Sequence, residues 1–203
     1  MMKPLFAAVA PIMVLGVLAA PVLANAVVGQ PAPAFTAKDA AGRSVSLSDF
    51  KGKPVVLEWT NPECPFVQKY YSGGDMQKLQ AEARKGGAVW LTINSGAAGK
   101  QGHLSGEQAG AKMRQQGSQP TAYLLDADGA VGRAYGARTT PHMFVIAPDG
   151  TLAYAGGIDS IPSANPADIA RAEPLVKLAL ADVKAGKPVA TPTSRPYGCS
   201  VKY

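Results

Sequence analysis

Cysteine is almost absent from this chain: Cys64 and Cys199 are the only two among 203 residues. Two thiols cannot build a disulfide scaffold, so any core must be hydrophobic and the sulfurs are left for chemistry or for one bond. Apolar runs long enough to span a bilayer are missing beyond the first 26 residues. Runs of basic residues interleaved with aromatics are missing too, although Lys and Arg outnumber Asp and Glu by 20 to 14, and this excludes a nucleic-acid-binding stripe. Lys51, Lys53, Lys69, Lys78, Arg84, Lys85 and Lys112 fall on different elements and read as an ordinary solvated surface. Internal repeats and a linker that would set off a second globular domain are also lacking.

What is present begins with Met1–Ala26. Lys3 precedes a long apolar segment that closes on Ala24-Asn25-Ala26, a small-x-small cleavage pattern. Residues 1–26 are therefore expected to be a signal peptide. Pro4, Pro11 and Pro21 make the segment a poor membrane helix, an uncleaved anchor being the alternative. No cysteine follows it to take a lipid. The expected location is periplasmic or secreted, where disulfides persist, and no stable membrane span is expected after cleavage. The expected division is a leader at 1–26, one domain at 27–187 and a tail at 188–203 that carries the second cysteine.

Cys64 sits in Trp59-Thr-Asn-Pro-Glu-Cys-Pro-Phe-Val67, between an apolar strand-like run and a helix-like stretch. Pro65 suits the first helical position, where a missing N–H costs nothing, so Cys64 becomes the N-cap. The unpaired amides of the first turn and the helix dipole favour the thiolate, which is the nucleophilic form. The adjacent Glu63 carboxylate opposes that effect. A buried thiol acting as a small hydrophobe, or half of a structural disulfide, is the competing explanation.

The remaining pattern is hairpin, strand, helix, strand, helix, strand, hairpin, helix. Phe35–Lys38 and Ser44–Leu47 flank a turn, and Pro54–Trp59 is the strand before Cys64. Ala88–Ile93 reads as a central strand buried on both faces. Ser105 and Gln108 form a capping box for a helix ending at Gly117. Thr121–Leu125 is a further strand, and His142–Ala147 and Thr151–Ala155 flank a tight turn. Pro174 opens a last helix that Gly186 stops. This order predicts an α/β fold with a mixed central sheet, helices on both faces and an N-terminal hairpin extension. Gly99-Lys100 does not make a nucleotide loop, because Asn94 and Gln101 replace its required glycine and hydroxyl residue. No cofactor is expected.

Val28-Gly-Gln-Pro-Ala-Pro-Ala-Phe35, the strand–cysteine–helix unit, Arg138-Thr-Thr-Pro141 and Asp149-Gly150 together resemble the redoxin, peroxiredoxin-like (AhpC/TSA-type) branch of the thioredoxin superfamily. The likeness runs from about Val27 to Gly186, and Gly198-Cys199-Ser-Val-Lys202 is similar to tails of its peroxiredoxin-like subgroup. It implies a thioredoxin-like fold, with Cys64 in the attacking position and Thr140-Pro141 as a cis-proline loop beside it. In that family the loop offers its backbone to an incoming disulfide-bearing chain. Two departures qualify it. Val67 replaces the second cysteine of a CxxC pair, and Leu57, Asn61 and Pro141 replace the proline, hydroxyl residue and arginine of peroxiredoxins. Arg138 or Asn61 would have to compensate in peroxide chemistry.

The resemblance implies a thiol–disulfide oxidoreductase acting on a protein or small-molecule disulfide, with an unidentified periplasmic thiol reductant. A peroxiredoxin-like peroxidase acting on peroxide is the first alternative. A non-enzymatic binding or metal-handling module is the second. Cys199 lies 13 residues past Gly186, a reach of up to roughly 43 Å if extended, and is the candidate resolving partner. A permanent Cys64–Cys199 bond would instead stabilise the fold by roughly 4 to 5 kcal/mol. Glu58, six residues before Cys64, matches the buried proton-relaying acid of thioredoxins, or else faces outward. Trp59 supports the same strand. His142 would stabilise a thiolate or donate a proton, or else simply start a strand. Cys64, His142 and Cys199 would suit copper or zinc, but the close cysteine pair of copper carriers is missing and no metal site is expected.

Overall fold

A computed structural model describes residues 26–203. The expected leader lies outside the described residues, except for Ala26. No helix among them is long and apolar enough to cross a membrane.

Seven strands form one mixed sheet: β1 (Thr36–Asp39), β2 (Ser44–Ser46), β3 (Val55–Trp59), β4 (Val89–Asn94), β5 (Ala122–Leu125), β7 (His142–Ile146) and β8 (Leu152–Gly156). Their order across the sheet is β2-β1-β5-β4-β3-β7-β8. The segment Thr139–Thr140, β6, pairs separately with a C-terminal strand, β9 (Cys199–Ser200). Strand β3 lies parallel to β4 and antiparallel to β7, with Trp59 opposite His142 and Glu58 opposite both Thr92 and Met143. All five β3 residues are buried, the mark of a strand covered on both faces.

The helices are α1 (Pro65–Ser72), α2 (Asp75–Lys85), α3 (Gly106–Gln116), α4 (Ala130–Tyr135) and α5 (Leu175–Lys184). One apolar cluster joins α1, α2 and α5 to Val56, Trp90, Met143, Val145 and Tyr154. The other joins α4 and the N-terminal hairpin to Val55, Leu57, Trp59, Leu91, Phe144 and Ile146. Burying each such side chain contributes about 1.5–3 kcal/mol before entropy is counted. Helices thus cover both faces, and the thioredoxin-like redoxin fold is present. The capping box forms as read: Ser105 Oγ accepts from the Gln108 amide at 3.2 Å, and Gln108 Oε1 accepts from the Ser105 amide at 2.8 Å.

Two local readings shift. Pro174 is the N-cap of α5 rather than its first residue. The loop after Ser160 contains a 3-10 turn, Pro166–Arg171. The larger finding is the tail. From Pro192 onward it runs back along the molecule: the Ala155 amide donates to Pro192, the Ser194 amide donates to Ala155, and the Val201 amide donates to Arg138. At its end the Ala97 amide donates to Lys202 at 2.8 Å, and the Tyr203 hydroxyl donates to Ala137 at 2.8 Å.

Candidate active site

Strand β3 ends at Trp59, and the next turn delivers Cys64 to the N-cap of α1 with extended dihedrals, φ −77° and ψ 124°. The Cys64 amide donates to Asn61 O at 3.0 Å, and Cys64 O accepts from Val67 and Gln68. Pro65 occupies the first helical position. The thiol has 0% exposure. It donates to the carbonyl of Thr140 at 3.1 Å, and the Thr140–Pro141 bond is cis.

The tail arrives at the same carbonyl. Thr140 pairs with Cys199 and Thr139 with Ser200 in antiparallel register. Gly198 makes this approach feasible, because its φ is +128° and a Cβ there would overlap the Thr140 oxygen. Cys64 and Cys199, which no local motif connects, therefore face each other as free thiols. Burial alone would push the Cys64 thiol up. Hydrogen bonds from the Cys199 thiol, the Thr140 side chain and the amides of Cys199 and Val67 outweigh it, and Cys64 falls below the usual cysteine value. Cys199 is pushed up to about 11 by burial, by its hydrogen bond to Cys64 and by the Cys64 charge, against a downward pull from Lys202. The two sulfurs therefore differ in proton affinity, Cys64 giving up its proton more readily than Cys199.

The AhpC/TSA family profile matches residues 28–155, more than half of the sequence. The chain belongs to the AhpC/TSA family. Two solved structures resemble this AhpC/TSA chain over 87% of its length: a hypothetical protein of Sinorhizobium meliloti 1021 (27% identity, 94% of that chain, TM-score 0.74) and an uncharacterised conserved protein of Geobacillus kaustophilus (26%, 92%, 0.73). A putative thiol:disulfide interchange protein DsbE of Chlorobium tepidum shares the fold at 22% identity, over 64% of this chain and 85% of that one, with TM-score 0.53. No curated protein matches the sequence.

Around the thiol pair of this AhpC/TSA chain, several candidate residues have other duties. Asn61 Oδ1 accepts from the Glu63 amide at 2.9 Å, which shapes the turn before Cys64. Glu63 is exposed and takes the Gly102 amide. Arg138 is exposed and serves through its backbone, donating to His142 Nδ1 at 3.3 Å and accepting from Val201. Trp59 points to the α4 face, where Nε1 donates to Ser95 at 3.0 Å.

His142 opens strand β7. It lies opposite Trp59 with its ring 4.4 Å from Phe144, which puts it on the face away from Cys64. Burial, aided by the Arg138 charge, lowers it to about 4, so it is neutral at physiological pH and supplies no cation to a thiolate. The trio of Cys64, His142 and Cys199 is not assembled. Among the described residues no three His, Cys, Asp or Glu side chains group to hold a metal ion.

Glu58 faces inward on the Cys64 side of the sheet and is fully buried. Its oxygens accept from Tyr71 (2.8 Å), Trp90 (2.8 Å), Thr92 (2.9 Å) and Gln80 (3.3 Å). Burial raises its pKa in spite of these donors.

Lys69 overturns the reading of a wholly solvated basic surface. Its side chain is 0% exposed and pairs with Asp159 at 3.0 Å. Tyr70 and Tyr197 also donate to Asp159, as does the Ile161 amide at 3.0 Å. A sequence signal for this existed. Lys69 lies one helical turn from Phe66 and beside Tyr70, on the apolar stripe of α1.

Proposed function

We propose that this protein is an exported thiol–disulfide oxidoreductase whose working pair is Cys64 and Cys199, acting in the periplasm or outside the cell. One observation carries the proposal: two cysteines from distant parts of the sequence meet at the Thr140 carbonyl with their proton affinities pulled apart.

The chemistry follows from that asymmetry. Cys64 thiolate attacks one sulfur of a substrate disulfide, forming a mixed disulfide and expelling the other sulfur as a thiolate that takes a proton from water. Access to Cys64 requires the two-residue β6–β9 pairing to lift, because the thiol is covered. Once Cys64 is bonded and neutral, two of the upward pressures on Cys199, its hydrogen bond to Cys64 and the Cys64 charge, are gone, while Lys202 still pulls downward. Cys199 then loses its proton and attacks Cys64 Sγ, releasing the second substrate thiol and closing the Cys64–Cys199 bond. An external dithiol returns the pair to the reduced form and becomes a disulfide itself. Its first thiolate attacks Cys199, the half-buried sulfur, and Cys64 leaves as the better-stabilised thiolate.

The test is disulfide mapping by mass spectrometry before and after mild reductant, together with turnover of a small disulfide by wild type, Cys64→Ser and Cys199→Ser. Cys64→Ser should abolish exchange, and Cys199→Ser should stop at the mixed disulfide. A Cys64–Cys199 bond that yields to reductant only on unfolding would sink the proposal in favour of a structural staple. Unchanged exchange in Cys64→Ser would do the same.

A further inference from the structure

The Lys69–Asp159 pair is costly to bury, and stability alone is a poor reason for it. Replacing a buried ion pair by apolar side chains is often neutral or stabilising, and such pairs are best attested where they fix a register. The register this pair fixes is visible in its neighbours. Lys69 and Tyr70 belong to α1, the helix whose N-cap is Cys64. Tyr197 stands two residues before Cys199 on the tail. Asp159 lies between them, its Oδ2 taking Lys69 and Tyr70 and its Oδ1 taking Tyr197 and the Ile161 amide.

Further contacts join the same partners. The Tyr197 ring meets Phe66, two residues after Cys64, edge-on at 5.9 Å. Lys69 Nζ lies 5.1 Å from the Tyr70 ring and 5.8 Å from the Tyr197 ring. Between Tyr197 and Cys199 stands only Gly198, seated against Thr140. A continuous set of contacts thus runs from Cys64 through α1 and Asp159 to Tyr197 and back to Cys199.

We infer that Lys69, Tyr70, Asp159 and Tyr197 are positioning residues for the thiol pair: the buried carboxylate clamps the tail to the helix of Cys64 and so sets how readily Cys199 meets it. The inference rests on the proposed thiol exchange and names the device that tunes it. The side-chain hydrogen bonds of these residues meet at Asp159, not at a reacting sulfur. Their effect is on the fraction of reduced protein in which the tail is already seated. Closing the disulfide from an unseated tail carries the extra cost of seating it, so the effective concentration of Cys199 at Cys64 scales with that fraction.

The experiment compares wild type with Tyr197→Phe, which keeps the ring on Phe66 but loses the hydroxyl, and with Tyr197→Ala, which loses both. Tyr203→Phe releases the far end of the tail instead. Two quantities are read: the effective concentration of the thiol pair in glutathione redox buffers, and the pH midpoint of Cys64 alkylation in the reduced protein. Tyr197→Phe is expected to lower the effective concentration about tenfold, from the loss of one hydrogen bond to a charged group, and Tyr197→Ala further. The alkylation midpoint should rise in both, because the hydrogen bonds from Cys199 that favour the Cys64 thiolate leave with the tail. Tyr203→Phe should change the effective concentration less than threefold and the midpoint by less than about 0.5 pH unit, as a neutral hydrogen bond at a separate anchor would.

Both Tyr197 variants within twofold of wild type in effective concentration and within about 0.3 pH unit in midpoint, the same factor on a logarithmic scale, would overturn the inference, and so would an equal fall in Tyr203→Phe. The alkylation reading needs no disulfide. A midpoint that moves in a protein that never forms the Cys64–Cys199 bond would support the clamp and refute the proposed exchange alone.

Discussion

Glu58 and Asp159 are both carboxylates buried in the core, and each accepts from four donors. They differ in one respect. Every donor to Glu58 is neutral, so burial prevails and its proton is held more tightly. Asp159 has a full counter-charge in Lys69, and it is the tyrosines around it whose protons are held more tightly, through burial and the carboxylate's own field. Counting hydrogen bonds would rate the two sites alike. Charge separates them, and so does location: Glu58 ties α1 and α2 to β3 and β4, whereas Asp159 ties the tail to α1.

The comparison breaks most sharply under matched amide substitutions. Asp159→Asn leaves Lys69 buried without an anion and should lower unfolding stability by about 3–5 kcal/mol in urea titrations at neutral pH. Next in size is a pH effect from the other face of the sheet. His142 is depressed to about 4 in the folded state against an ordinary 6.5. Its contribution is therefore present above 6.5 and lost as pH falls toward 4, by up to about 3 kcal/mol, and His142→Gln should flatten that slope. Glu58 has the opposite sign. Its folded pKa is raised, so its contribution is full below about 4.5 and is lost as pH rises through the folded value. That slope should emerge in the His142→Gln background and disappear on adding Glu58→Gln. The smallest effect is Glu58→Gln itself, at about 1 kcal/mol or less near neutrality, since no buried cation is left unpaired. A loss as large as that of Asp159→Asn would mean that Glu58 also carries a counter-charge.

How far the sequence shows this depends on the kind of pattern involved. Local patterns were legible: Pro65 after Cys64 marked the start of α1, Ser105 with Gln108 marked α3, Ala88–Ile93 marked β4 as a strand covered on both faces, and the apolar run of β3 marked a buried strand, which the structure also covers on both faces. That same burial on both faces is why the orientation of Glu58 was not legible, since alternation carries no sign when every position is inside. His142 was ambiguous for the same reason, and only its register opposite Trp59 assigns it to the far face. Lys69 was misread because charge outweighed its place on the α1 stripe, and its partner Asp159 lies 90 residues away. Cys199 was legible as the candidate partner of Cys64, but the path by which it returns was not. Its return depends on tertiary hydrogen bonds from a proline-rich segment that carries no periodic signal.

Gly198 contributes no side chain, yet two thiols depend on it. In a saturation mutagenesis scan scored by redox activity, position 198 should tolerate as little as position 64. Scored by folding alone, the two should separate, because Gly198 lies on the tail and outside both apolar clusters of the core. The difference between the two scores would measure how much selection on this protein acts on the meeting of its sulfurs rather than on the fold that carries them.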